Sequence, residues 1–176
     1  MEKHPEIQFL PKEEIKKYQE GRLKEALEYV WNKSPYYRNI YTQKGIDINR
    51  IRTLEDLCQL PVTTKSDLQL HGNEFRCVAA EDIIDYATTS GTLGDPVTFT
   101  ETEEDLCHLA YNEQLSFQTA GCTKQDILQE MVTIDRRFMA GLAYFLGARE
   151  LGMGVVRVGN GIPELQWDTI NRIHPT

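Results

Sequence analysis

The chain has 176 residues, 40% hydrophobic and 26% charged, enough for a hydrophobic core of moderate size. Its 27 acidic and 19 basic side chains leave a net charge of −8, which argues against broad electrostatic binding to nucleic acid or anionic lipid, since both need clustered positive charge. No run of about 18 apolar residues marks a membrane span, and no apolar stretch follows the start Met1-Glu2-Lys3-His4-Pro5. Cys58, Cys77, Cys107 and Cys122 lack the CxxC spacing of zinc or redox sites. A cytoplasmic chain with reduced cysteines and no metal site of its own is expected.

From Pro11 to Trp31, apolar residues recur at Ile15, Tyr18, Leu23, Leu27 and Val30 among Lys and Glu. That period predicts an amphipathic helix that ends near Ser34-Pro35. A short helical piece is expected around Thr53–Leu57, and another from Thr64, whose hydroxyl can cap it while Asp67 sits in the first turn. The character then changes. Residues 83–88 and 96–100 are β-prone and flank the polar loop Thr89-Ser90-Gly91-Thr92-Leu93-Gly94-Asp95.

Thr102 and the acidic residues after it open a helix over Glu103–Ala120, with Leu106, Leu109, Ala110 and Phe117 on one face and Gly121 as its stop. Residues 126–133, 137–151 and 154–158 read strand, helix, strand, a βαβ unit, and 163–173 reads as a further short helix. The fold class is α/β, with a mainly helical region over 1–80 and the loop plus βαβ unit over 81–176. A parallel sheet left at that point has an uncovered edge, through which the chain is expected to dimerise or to meet a partner chain.

The loop carries the chemistry. Gly91 and Gly94 have no Cβ, so backbone N–H groups can curl around an anion, and Thr88, Thr89, Ser90 and Thr92 add hydroxyl donors. It is not a Walker A loop, because GxxxxGK[ST] is absent and no Lys stands in place. In composition alone it is also an ordinary polar turn.

The stretch Thr89-Ser90-Gly91-Thr92-Leu93-Gly94-Asp95-Pro96 resembles the phosphate-binding signature of adenylate-forming enzymes, usually Ser/Thr-Ser-Gly-Thr-Thr-Gly-x-Pro. Ser34-Pro35-Tyr36-Tyr37-Arg38, Leu60-Pro61-Val62-Thr63-Thr64-Lys65-Ser66-Asp67-Leu68 and Gly147-Ala148-Arg149-Glu150-Leu151-Gly152 are similar to the phenylacetate–CoA ligase pattern at matching distances. The resemblance spans most of the chain and implies the amino-terminal part of such a ligase.

That family activates a carboxylic acid with ATP and Mg²⁺ as an acyl-adenylate and passes the acyl group to CoA. The resemblance implies that Thr89, Ser90, Gly91, Thr92 and Gly94 hold the ATP phosphates. It also implies that the segment carrying Asp135, Arg136, Phe138 and Gly141 contributes to the pocket for an aryl or arylacetic acid. Elements found further along such enzymes, the magnesium-binding Glu and the mobile C-terminal domain with its Lys, do not follow Thr176. This chain alone is therefore expected to be inactive, with no catalytic residue of its own.

Leu93 replaces a hydroxyl and Asp95 stands where Lys is frequent. A carboxylate about 5 Å from phosphate costs about 1–3 kcal/mol, so Asp95 matters only if it faces the ligand. A deazaflavin-adenylating synthetase of similar sequence and a non-catalytic nucleotide-binding or interaction module are the alternatives.

Overall fold

The computed structural model describes residues 5–91 and 95–176. These fall into two compact units, residues up to Ala80 and residues 81–176.

The first unit is helical. Helix α1 (Lys12–Lys33) covers the amphipathic stretch, and its apolar side meets Tyr41 and Ile51, so that Leu27, Tyr41 and Ile51 form the buried centre, 3–5% exposed. The chain does not leave helical geometry at Ser34-Pro35 for long, because α2 (Pro35–Gln43) follows at once. Proline is favoured at the first helical position, where no N–H is needed. Ser34 supplies the cap: its Oγ accepts from the Tyr37 N–H at 3.3 Å and donates to the Glu74 carbonyl at 2.9 Å, fully buried.

The Thr53 piece forms a 3₁₀ turn, Leu54–Gln59. Helix α3 (Lys65–His71) starts with a reciprocal box, the Thr64 N–H donating to Asp67 Oδ2 at 2.7 Å and the Asp67 N–H to Thr64 Oγ1 at 3.2 Å.

In the second unit, β1 (Asp85–Thr88) and β2 (Thr98–Glu101) pair antiparallel, Asp85 opposite Glu101 and Thr88 opposite Thr98. Helix α4 (Glu103–Thr119) opens with the same box, from Thr102 and Asp105, and stops where Gly121 takes φ 91°. Strand β3 (Ile127–Glu130), α5 (Met139–Leu151) and β4 (Gly154–Arg157) make the βαβ unit, with β3 and β4 parallel and Glu130 opposite Arg157. Helix α6 (Pro163–Ile173) lies where expected. Its residue Gln166 meets Gln129 of β3, whose Nε2 donates to Gln166 Oε1 at 3.1 Å.

Helices α4 and α5 pack through small residues. Ala110 on α4 and Ala143, Gly147 and Ala148 on α5 are buried, and a Cβ added at Gly147 would stand 2.3 Å from Glu113 Cβ and 2.9 Å from its backbone carbon. The absence of a side chain therefore sets the helix spacing. Gly21, inside α1, is the contrasting case, with nothing within 4 Å of an added Cβ. Gly147→Ala is expected to destabilise the chain by about 1–3 kcal/mol through overpacking. Gly21→Ala should stabilise it by up to about 1 kcal/mol through helix propensity. Urea unfolding of the two variants checks the opposite signs.

Candidate functional site

The polar loop leaves β1 and returns to β2, and its base is locked twice. The Thr89 N–H donates to the Val97 carbonyl at 3.0 Å, and the Val97 N–H donates to Thr89 Oγ1 at 2.9 Å. Thr89 Oγ1 thus braces the frame of the loop as an acceptor while its O–H remains a donor. Ser90 is exposed, and Gly91 takes φ 68°, left-handed geometry that glycine adopts at little cost. Thr92, Leu93 and Gly94 lie outside the described residues. Asp95 is exposed.

One residue before the loop, the Thr88 N–H donates to the Arg137 carbonyl at 3.0 Å. This ties the loop's first strand to the segment that follows β3. There Arg136 and Arg137 have φ 61° and 62°. Two successive non-glycine residues in the left-handed region cost about 1–2 kcal/mol each, and they delay α5 to Met139 although the sequence pattern begins at Arg137. Strain of this kind concentrates where backbone position serves a site.

That segment and the residues after β4 enclose an open cleft of about 480 Å³ at the carboxyl ends of the two parallel strands, the end where open α/β sheets bind ligands. Asp135 and Arg136 line it, together with Thr133, Arg157 and Asn160. Phe138 does not line this cleft; it is 43% exposed at the position that caps α5. Gly141 is buried for a different reason, because a Cβ there would lie 1.9 Å from the Thr133 carbonyl oxygen. It lets α5 pass close behind the segment and shapes the cleft without forming its wall.

Sequence reasoning missed Arg157 and Glu130, which face each other across the parallel pair. The Arg157 guanidinium lies over the Phe145 ring, 5.2 Å from its centre. Glu130 is 3% exposed, and neither carboxylate oxygen has a hydrogen-bond partner among the described residues. A charged residue ending each of the two strands was the available signal. Burial raises the Glu130 pKa, with the nearby Arg157 charge pulling it down. Glu101, 9% exposed, is raised by burial and by Asp85 and Asp105. Among the described residues no group of three or more His, Cys, Asp or Glu side chains gathers as a metal site, and no helix is long and apolar enough to cross a membrane.

The fold is that of the CoA ligases. A 2-hydroxyisobutyryl-CoA ligase solved in an open conformation with 2-HIB-AMP and CoA superposes on 97% of this chain with a TM-score of 0.86 at 23% identity, this chain covering 41% of that one. The same enzyme in its postadenylation state with 2-HIB-AMP gives 0.83 over 94% of this chain, covering 36% of that one at 24% identity.

In sequence, the phenylacetate-coenzyme A ligase of Thermus thermophilus is 34% identical over 172 residues, 97% of this chain and 38% of that protein. The Escherichia coli phenylacetate-coenzyme A ligase is 29% identical over 164 residues, 93% of this chain and 37% of that one. No protein-family model matches. Over the stretch it contains, the chain belongs to the phenylacetate–CoA ligase family, and it spans less than two-fifths of the length of these curated relatives.

The raised carboxyls make stability depend on pH. Between the ordinary glutamate range and the raised value, the folded chain binds more protons than the unfolded one. Stability therefore falls as pH climbs through that window. Glu130→Gln is expected to flatten the fall and to raise the melting temperature at pH 7–8 by about 2–4 °C, the shift that ~1 kcal/mol gives a chain of this size. Thermal melts from pH 4 to pH 8 measure it.

Proposed function

We propose that this chain forms the phosphate-binding and acid-binding part of an ATP-dependent, AMP-forming carboxylic acid–CoA ligase whose acid is an aryl or arylacetic one. The observation that carries the reading is the hydrogen bond from Thr88 to Arg137, which sets a glycine- and hydroxyl-containing loop beside a cleft at the carboxyl ends of parallel strands. The phenylacetate-coenzyme A ligases it matches support the choice of reaction.

In this reading Ser90, Thr92 and the backbone N–H groups at Gly91 and Gly94 cradle the outer phosphates of ATP. Thr89 Oγ1 accepts from the Val97 N–H at the loop's base and keeps its O–H to donate to the same phosphates. The substrate carboxylate attacks the α-phosphorus, the bond to the bridging oxygen of pyrophosphate breaks, and acyl-adenylate forms. The CoA thiol then attacks the acyl carbon and releases AMP. Positioning and charge neutralisation supply most of the catalysis in such a transfer, and a loop of neutral donors serves the first of these. Mg²⁺ is part of the proposal through the phosphates it neutralises; the described residues gather no carboxylate cluster for it. Asp95 is exposed beside the loop, so the repulsion it exerts on bound phosphate sits at the low end of the range given above.

Acid-dependent ATP–pyrophosphate exchange tests the reading. The assay uses this chain complemented with the part of the Thermus thermophilus ligase that it does not match, and a panel of aryl acids. Exchange that needs an acid, and that falls at least 10-fold in Gly91→Val, is the expected result. A folded assembly that binds Mg·ATP but shows no exchange with any acid contradicts it.

A further inference from the structure

Resting on the acid–CoA ligase reading, we infer that the acid taken by this chain carries a second anionic group, as a dicarboxylate does, and that Arg157 and Arg136 receive that distal group in the cleft beyond β3 and β4.

The lining is the first ground. A pocket for a plain aryl or alkyl group is mostly apolar, whereas here Val132, Ile134 and Val158 are the apolar contributors among nine lining residues. Thr133, Asp135, Arg136, Arg157 and Asn160 supply polar groups. A bare phenyl ring buried among them would strip water from these groups and give nothing in return.

Charge is the second ground. In a chain of net charge −8, the lining holds two guanidinium groups against one carboxylate. That carboxylate, Asp135, stands 3.8 Å from its own neighbour Arg136 in a solvent-exposed pair, a geometry that neutralises little. Among the described residues no carboxylate pairs with Arg157, whose guanidinium is stationed over the Phe145 ring. Glu130 lies opposite it on β3, but neither of its carboxylate oxygens has a hydrogen-bond partner among the described residues, so it occupies none of the guanidinium donors. A fixed guanidinium with open donors matches a carboxylate in a two-bond fork.

The backbone is the third. Arg136 sits in left-handed geometry that its side chain does not favour, and the Thr88 bond to the next carbonyl holds it there, one residue from the phosphate loop. The carboxylate to be activated would thus face the loop side while the second anionic group faces the arginines.

The test uses amide and arginine Nε–H NMR of this chain titrated with 4-carboxyphenylacetate, 4-methylphenylacetate, pyrophosphate and Mg·ATP. The diacid should shift the Arg157 and Arg136 Nε–H and the Asn160 amide, and bind at least 10-fold tighter than the methyl compound. Arg157→Gln should bring that ratio close to one, and Arg157→Lys, which keeps the charge and loses the fork, should leave an intermediate ratio. Equal binding of the two acids, a ratio unmoved in Arg157→Gln, or pyrophosphate shifting the arginines as strongly as the diacid overturns the inference. If neither acid shifts the cleft while Mg·ATP shifts Ser90 and Gly91, the inference falls and the ligase reading stands. If Mg·ATP also leaves the loop unmoved, both fall.

Discussion

A single backbone bond, from the Thr88 N–H to the Arg137 carbonyl, organises the loop and the cleft of the second unit. It joins the antiparallel hairpin to the segment after β3, two pieces far apart in sequence that no sheet ladder among the described residues connects. To offer that carbonyl, the chain turns through two left-handed arginines, and the strain is tolerated because the ends of the turn are fixed. On one side β3 is paired to β4. On the other, α5 is held against α4 by the close approach at Gly147 and against the turn by the close approach at Gly141. The loop and the cleft are neighbours as a consequence of packing that neither of them supplies.

Much of this architecture was legible in the sequence because local rules and tertiary packing agree. The Thr102-Asp105 and Thr64-Asp67 boxes mark helix starts at the residues where they form, and Pro163 opens α6 as proline does at a first helical position. Helix α2 was missed because Ser34-Pro35 was read as a stop, although serine before proline is equally a start signal and the buried Ser34 Oγ shows it working as one. The onset of α5 was misplaced by two residues, since the helical period says nothing about a carbonyl needed by a strand some fifty residues earlier.

The site was legible in part. Threonine, serine and glycine between two β-prone runs point to an anion loop, and the hairpin geometry at Thr89 and Gly91 is compatible with that use. Composition could not reveal that Thr89 Oγ1 also accepts a hydrogen bond that braces the loop's base, that Gly141 serves a backbone contact, or that Phe138 stays out of the cleft lining. Arg157 and Glu130 escaped notice because their alignment across the strands is a matter of parallel register, which adjacent sequence does not encode. Helix faces and caps are local properties; the cleft comes from chain segments meeting at strand ends.

The central claim is that the loop between β1 and β2 is the nucleotide phosphate site, held from below by an unmoving frame. Amide hydrogen exchange of this chain with and without Mg·ATP tests it most directly. Slower exchange at Ser90 and Gly91, with Thr88 and Val97 protected to the same degree in both states, is the predicted pattern. Protection that is unchanged at the loop and appears instead among the residues preceding Glu81 would contradict the account.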